Sequence, residues 1–129
     1  MSAIPGDLRY TKDHEWVRQE AEVYVVGITA HAADQLGDVT FAEVPMVGKN
    51  ARKGEAIATV ESVKAASDVY APLSGTVCAA NETLVNAPEQ INQDPYGTGW
   101  FFKLENVNAA EYDSLMDAKA YQAHVEASS

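Results

Sequence analysis

The sequence predicts a mainly β protein, a sandwich or barrel of short antiparallel strands with small helical additions. Short runs of β-branched and aromatic residues recur along the first hundred residues, and clusters of Gly, Pro, Asn and Asp separate them. Helical spacing of apolar residues is confined to the C-terminal segment. With 129 residues, 47% of them hydrophobic, the chain has the size and composition of one domain, which we expect to span residues 1–129.

The N-terminal part is predicted to form strands and one short helix. Residues 8–28 contain closely spaced β-type side chains and therefore predict short strands. Thr29 is a good N-cap residue, so we predict a helix from Ala30 to Leu36. Gly37 follows at the usual position just past a helix C-terminus. A further strand is predicted from Val39 to Val44, before a loop rich in Pro and Gly.

The middle of the chain is predicted to alternate between strands and turns. The predicted strands are Ala56 to Val60, Asp68 to Ala71, Thr76 to Ala80 and Trp100 to Leu104. Residues 81–99 are rich in turn residues and allow one short helical turn near Pro88 to Ile91. Two apolar segments, Gly54 to Glu61 and Gly75 to Glu82, each begin with Gly and end with Glu. This weak echo suits two similar half-sheets.

The C-terminal segment, residues 108–127, is predicted to be a helical extension that folds back onto the sheet. Asn108 followed by Glu111 resembles a capping box, which is a helix start signal. Asp117 is placed to cap a second helical turn. Apolar side chains follow at helical spacing, and we interpret them as packing residues: Tyr112, Leu115, Met116, Tyr121 and Val125.

Composition excludes several classes of partner. The formal net charge of −10 argues against nucleic acid and against anionic membrane surfaces, since both are bound by clustered Lys and Arg. No apolar run reaches the roughly 18 residues that cross a bilayer. Cys78 is the single cysteine, so no internal disulfide can form, and we expect it to be a small buried hydrophobe. The N-terminus lacks a secretory or transit pattern, which predicts a cytoplasmic protein.

Lys64 is the candidate functional residue. It stands between two predicted strands, and the small residues Ala65, Ala66 and Ser67 follow it. A hairpin would place its amine at the tip, where another enzyme could acylate it. An acyl arm of about eleven bonds would extend roughly 14 Å from the backbone. The alternative is an ordinary solubilising lysine in a turn.

The segment Glu61-Ser62-Val63-Lys64-Ala65 resembles the lipoyl-attachment motif of glycine cleavage H-proteins. Further segments, in order and from about Leu8 to Tyr121, are similar to the same family: His14-Glu15-Trp16, Gly27-Ile28-Thr29, Leu36-Gly37-Asp38, Asn92-Gln93-Asp94-Pro95-Tyr96-Gly97 and Gly99-Trp100. The resemblance implies a hammerhead-like lipoyl/biotinyl-carrier fold, a sandwich of two small antiparallel sheets also described as a barrel-sandwich hybrid.

The resemblance also implies a function without catalysis. Lipoate would be joined to Lys64 by an amide, through a lipoate ligase or an octanoyl/lipoyl transferase. The carrier would take an aminomethyl group from a pyridoxal-phosphate glycine decarboxylase to a tetrahydrofolate-dependent aminomethyltransferase. A flavin (FAD) dihydrolipoyl dehydrogenase would then reoxidise the dithiol. The chemistry belongs to the cofactor and the partner enzymes. Because such a shuttle visits its partners transiently, we expect a monomer.

The family's arm-docking cleft is expected to involve Glu15 and Asp68, with Asp13 and His14 nearby. A carboxylate would favour the protonated amine of a loaded arm. Surface charge is the alternative for these residues, above all for Asp13, which stands where some relatives have a small hydroxyl residue. The three histidines are scattered along the sequence and form no metal motif.

Three other functions remain as alternatives, namely a lipoate donor, a biotin carrier and a small hydrolase or binding protein, and one further relative, the lipoyl domain, does not fit. A donor that hands lipoate to other proteins would use the same Lys64. A biotin carrier is disfavoured, because such carriers usually have methionine on both sides of the lysine, whereas Val63 and Ala65 flank it here. Lipoyl domains of 2-oxoacid dehydrogenases usually have an acidic residue before the lysine and lack the His-Glu-Trp strand and the C-terminal helix. A small hydrolase or binding protein would need a catalytic pair or pocket that the sequence does not reveal.

Overall fold

The computed structural model of the protein describes residues 4–128. Within them the chain forms nine strands and five short helices. The strands are β1 (Arg9–Tyr10), β2 (Glu15–Glu20), β3 (Val23–Ile28), β4 (Val39–Glu43), β5 (Asn50–Ala51), β6 (Ala56–Ser62), β7 (Ala66–Tyr70), β8 (Gly75–Ala80) and β9 (Phe102–Glu105). The helices are α1 (Ala30–Leu36), α2 (Thr83–Asn86), α3 (Gln90–Gln93), α4 (Ala109–Asp113) and α5 (Ala118–Ser128).

The strands form two antiparallel sheets, as predicted. The larger sheet has six strands in the order β1-β2-β3-β9-β8-β5, and the smaller has three in the order β4-β6-β7. Every neighbouring pair is antiparallel. The two similar apolar segments lie in different sheets. Ala56–Ser62 is the central strand of the smaller sheet, and Gly75–Ala80 belongs to the larger one.

Two groups of buried side chains hold the fold together. The main core fills the space between the sheets and includes Val26, Val60, Val69 and Phe102, all nearly inaccessible to solvent. The second core lies under the C-terminal helix and consists of five residues: Leu8, Tyr10, Trp16, Val25 and Tyr121. Each of these residues exposes less than one twentieth of its surface to solvent. Burial of this apolar surface holds α5 against the edge of the larger sheet.

A glycine makes the second core possible. Gly27 is opposite Trp16 in the register of β2 and β3. A β-carbon at this position would lie 2.6 Å from the Trp16 ring, which real β-carbons do not tolerate. The indole can therefore lie flat against the strand, and its Nε1 donates a hydrogen bond to the Pro95 carbonyl at 2.9 Å.

The helix predicted from Ala30 to Leu36 is confirmed at both ends. The Thr29 hydroxyl accepts a hydrogen bond from the Ala32 amide at 3.2 Å and caps the first turn. Gly37 ends the helix with a φ of +76°, in the left-handed region that favours glycine. In residues 4–128, no helix has the length and apolar character needed to cross a membrane.

Three local predictions were wrong or incomplete. The predicted strand Trp100 to Leu104 begins two residues later, at Phe102. The single helical turn expected near Pro88 to Ile91 is replaced by two turns, α2 and α3. Cys78 is half-buried rather than fully buried, because it lies at the irregularity in the pairing of β8 with β9. Burial raises the pKa of the Cys78 thiol.

The C-terminal extension contains two helices, in agreement with the second cap predicted at Asp117. Asn108 caps α4 by accepting a hydrogen bond from the Ala110 amide at 2.9 Å, as predicted. The other half of the capping box is wrong, because the Glu111 carboxylate accepts from the distant Ser74 amide at 3.0 Å instead. Asp117 accepts from the Ala120 amide at 2.8 Å and so caps the start of α5.

Candidate functional site

The hairpin between β6 and β7 presents Lys64 at its tip. The Ser62 amide donates a hydrogen bond to the Ala65 carbonyl at 2.7 Å, which leaves only Val63 and Lys64 to make the turn. The Ser62 hydroxyl accepts from the Lys64 amide at 3.3 Å and from the Ala65 amide at 3.1 Å. This one side chain therefore holds the turn, and Val63 is 84% exposed beside the lysine.

The Lys64 side chain extends over the C-terminal end of α1. A β-carbon on Gly37 would lie 3.2 Å from Lys64 Cε, so the glycine leaves room for the lysine stem. Asn92 holds this glycine in place, since its Nδ2 donates to the Gly37 carbonyl at 2.8 Å while its Oδ1 accepts from the Val39 amide at 2.9 Å. Asn92, which is distant in sequence, thus fixes the backbone on which the Lys64 stem lies.

Lys64 is the only Lys or Arg between Lys53 and Lys103. Its side chain is exposed, and within the part of the chain that the structure describes no hydrogen bond or ion pair restrains its ammonium group. Among the strands of the smaller sheet and the hairpin between β6 and β7, Lys64 is therefore the only residue with an amine side chain. This isolation makes Lys64 a distinctive acceptor for an acyl group.

A cleft of about 250 Å³ lies beside the hairpin, and we call it the hairpin cleft. Its walls come from the start of β2, from α1 and from β7. Its apolar lining includes Ile28, Leu36 and Val60, and its polar lining includes Asp13, His14, Glu15 and Asp68. The four cleft residues expected from the sequence therefore share one cavity, with Asp13 and Asp68 exposed and His14 half-buried.

Glu15 is the buried carboxyl group of the hairpin cleft, with only 2% of its surface exposed. It accepts hydrogen bonds from the Thr11 hydroxyl at 2.6 Å and from the Tyr70 amide at 3.2 Å. Burial raises the pKa of Glu15 to about 7, because the low-dielectric surroundings disfavour the charge more than the two hydrogen bonds favour it. Near neutral pH this group can hold or release a proton inside the cleft.

His14 has a left-handed backbone, with a φ of +71°, which is uncommon for a residue with a side chain. Its Nδ1 lies 2.8 Å from the Tyr121 hydroxyl. Its ring centroid lies 4.8 Å from that of His31 and 5.7 Å from that of His124. Burial, followed by the charges of these two histidines, lowers the pKa of His14 and favours a neutral ring.

The sequence did not reveal this clustering, because His14 stands just before β2 while the other two histidines stand on α1 and α5, and the three meet only in the folded protein. The role of Tyr121 as a hydrogen-bond partner was also missed, since helical spacing indicates packing alone. Among residues 4–128, no group of three or more His, Cys, Asp or Glu side chains is arranged to hold a metal ion.

An exposed, isolated lysine at the tip of a hairpin, beside a partly apolar cleft with carboxyl groups in its lining, fits a flexible acyl arm. The lysine offers an attachment point, and the cleft can enclose the arm's far end. Together with the two-sheet sandwich, these features define a carrier of a lysine-linked prosthetic group.

Comparison with known proteins names the family. Residues 8–128 match the family model described as glycine cleavage H-protein. The chain is 58% identical to a glycine cleavage system H protein of Phenylobacterium zucineum over 92% of this chain and 98% of that protein. It is 50% identical to that of Salmonella arizonae, over 98% of each chain. A crystal structure of a glycine cleavage system H protein from Mycobacterium marinum superposes with a TM-score of 0.86 and 37% identity, over 95% of this chain and 99% of that one.

The chain belongs to the glycine cleavage H-protein family. It is a lipoyl carrier of the glycine cleavage system, a component without catalytic activity of its own, and its prosthetic group is lipoyl-lysine. Its partners are the other proteins of that system.

Proposed function

We propose that Lys64 carries the lipoyl group through an amide bond, and that Glu61, Ser62, Val63 and Ala65 form the attachment hairpin. The observation that supports this best is the position of Lys64 as the isolated amine at the tip of a rigid two-residue turn. Acylation there removes one positive charge and breaks no ion pair that the structure describes. The cost to the fold is therefore small.

We infer that the hairpin cleft encloses the far end of the arm. When bound, the lipoyl group would supply two sulfur atoms, one of which can carry an aminomethyl group and which together can carry two reducing equivalents between enzymes. Ile28, Leu36 and Val60 exclude water from the enclosed end. Glu15 and Asp68 offer carboxyl groups to a cationic amine there. An extended arm of roughly 14 Å can reach a cleft that begins at the next strand.

Within the cleft, Glu15 is the group that responds to its occupant. Its pKa of about 7 applies to a buried carboxyl group that lacks a cationic neighbour. An ammonium group brought close to it would favour the carboxylate, so docking of a protonated amine would release a proton from Glu15. Asp13 and His14 would complete the polar side of the cleft.

The partner enzymes that we propose follow from the family's chemistry. They are a pyridoxal-phosphate glycine decarboxylase, a tetrahydrofolate-dependent aminomethyltransferase and an FAD-dependent dihydrolipoyl dehydrogenase. A lipoate ligase or an octanoyl/lipoyl transferase would attach the arm. We further propose that residues 1–129 form one carrier domain, which works as a monomer in the cytoplasm. The net charge of −10 favours basic entrances on these partners and disfavours nucleic acid and anionic membranes.

The proposal is tested by changing the lysine and measuring mass. The purified chain is incubated with a lipoate ligase, ATP and lipoate, and the intact protein and its peptides are then weighed. One lipoyl group is expected on the peptide that contains Lys64, and none in Lys64→Arg, which keeps the charge. The free energy of unfolding, measured by urea titration, should differ between the two proteins by less than about 0.5 kcal/mol, since the residue is exposed.

Lys53→Arg is the matched control, because Lys53 is an exposed lysine on a turn outside the hairpin. It should be lipoylated as the unchanged protein is. Lipoylation that persists in Lys64→Arg, or that is lost in Lys53→Arg, would place the arm on another lysine and overturn the proposal.

A further inference from the structure

Helix α5 places a buried phenol behind the hairpin cleft. Tyr121 is 0% exposed and stacks on Tyr10, with the ring centroids 4.6 Å apart and the ring planes 9° from parallel. Its hydroxyl lies 2.8 Å from Thr29 Oγ1 and 2.8 Å from His14 Nδ1. Burial raises the pKa of Tyr121 to about 12, so the hydroxyl keeps its proton and can donate one bond while accepting the other.

Both partners of this hydroxyl belong to walls of the cleft. Thr29 caps α1, the helix that contributes Ala32 and Leu36 to the lining. His14 lines the cleft itself, and so do its sequence neighbours Asp13 and Glu15. The Thr29 amide also donates to the His14 carbonyl at 2.9 Å, so the walls meet at this point. The Tyr121 hydroxyl therefore links the two walls through its bonds to His14 and Thr29, an arrangement that we call the clamp, while Tyr121 itself does not line the cleft.

The clamp acts on a strained residue. The left-handed conformation of His14 costs free energy and persists only where its surroundings hold it. The His14 amide donates a hydrogen bond to the Thr11 carbonyl at 3.1 Å and closes the turn before β2. Within the same turn, the Thr11 hydroxyl donates to the Glu15 carboxyl group. The direction of the Glu15 side chain therefore depends on the conformation of His14. Helix α5 contacts this segment a second time, since His124 Nε2 lies 3.0 Å from the Lys12 carbonyl.

We propose that Tyr121 is a positioning residue of the hairpin cleft: its hydroxyl fixes His14 against the N-terminus of α1 and so sets the spacing of the two walls that receive the arm. The inference rests on the proposed docking role of the cleft. It gives the C-terminal helix a role in arm docking, although none of the described side chains of this helix lines the cleft.

The test compares two variants that each lose one hydroxyl from the same stacked pair. Tyr121→Phe keeps the stacking and removes both bonds to the cleft walls. Tyr10→Phe keeps the stacking and removes only the bond from the Tyr10 hydroxyl to the Pro5 carbonyl. Hydrogen exchange is measured on the protein without lipoate. In Tyr121→Phe, the amides of His14, Thr29 and Ala32 should exchange at least about tenfold faster, while those of the β3–β9 pair stay unchanged.

The same amides should keep their protection in Tyr10→Phe. Uniformly faster exchange throughout Tyr121→Phe, or equal changes in the two variants, would show that Tyr121 only stabilises the fold and would overturn the inference. Thr29→Ser keeps a hydroxyl for both the clamp and the cap of α1 and should resemble the unchanged protein. Thr29→Val also removes the acceptor of the Ala32 amide, so it is compared with Tyr121→Phe only at the His14 amide, which should exchange faster in both variants.

A second measurement concerns docking. In lipoylated protein loaded with the aminomethyl group, the carried group should be lost to water several times faster in Tyr121→Phe than in Tyr10→Phe. Equal rates, with the local exchange change present, would remove the role in docking. If the unchanged protein takes no lipoyl group at Lys64, the proposed function fails, whereas the exchange result still decides whether Tyr121 positions the cleft walls.

Discussion

Replacing Glu15 with Gln should alter the pH dependence of stability in a direction that the structure defines. The Glu15 carboxyl is buried, and burial raises its pKa from the usual 4.5 to about 7. Because the unfolded chain returns this group to its usual pKa, the folded protein binds more protons than the unfolded protein between these two values. Stability conferred by Glu15 is therefore greatest below pH 4.5 and falls as the pH rises through 7.

The magnitude follows from the difference between the two pKa values. One pKa unit corresponds to 1.36 kcal/mol, so a difference of 2.5 units lowers the free energy of unfolding by about 3 kcal/mol at alkaline pH relative to acidic pH. Gln has no proton to lose and matches the shape of Glu. Its Oε1 can accept from the Tyr70 amide, and its Nε2 can donate to the Thr11 hydroxyl, so both contacts have a replacement.

The assay is urea unfolding of the unlipoylated protein and of Glu15→Gln at pH 4, 6, 7, 8 and 9. The stability of the variant relative to the unchanged protein should increase by about 3 kcal/mol across this range, with most of the change between pH 5 and 7. Glu22→Gln, at an exposed position, is the control and should show no such trend. A difference between Glu15→Gln and the unchanged protein that stays constant from pH 4 to 9 would refute the reasoning.

Two further predictions concern the surroundings of Lys64. Gly37→Ala should lower the free energy of unfolding by roughly 1–2 kcal/mol in a urea titration and slow lipoylation by the ligase, because the left-handed backbone opposes a β-carbon that would also stand 3.2 Å from Lys64 Cε. Unchanged stability and lipoylation would contradict the contact between helix and lysine. Asp68→Asn in the loaded protein should shorten the lifetime of the carried aminomethyl group several-fold, since one carboxylate is lost from the cleft, whereas Asp113→Asn on α4 should leave it unchanged. Equal lifetimes would remove Asp68 from the docking cleft.

Local sequence was sufficient for the elements whose hydrogen bonds are local. Thr29 and Gly37 mark the ends of α1 because a cap and a left-handed glycine satisfy backbone groups only a few residues away. The exposure of Lys64 was predictable for the same reason, since a two-residue turn between two strands has to lie at the surface. The family motifs then indicated the cofactor and the system.

The cleft required the tertiary structure. The sequence offered Glu15 as a candidate cleft residue with surface charge as the alternative, and it did not reveal that the Tyr70 amide, 55 positions away, completes the environment of this carboxyl group. The same limit applies to Glu111, whose partner is Ser74 rather than its own helix, and to Tyr121, whose partner His14 lies 107 positions away. The sequence by itself determined the strands, the caps and the presented lysine, because their hydrogen bonds span a few residues. Only the stacking of the two sheets and the return of α5 decided which polar groups were buried together, because burial and pKa depend on every segment that packs around a group.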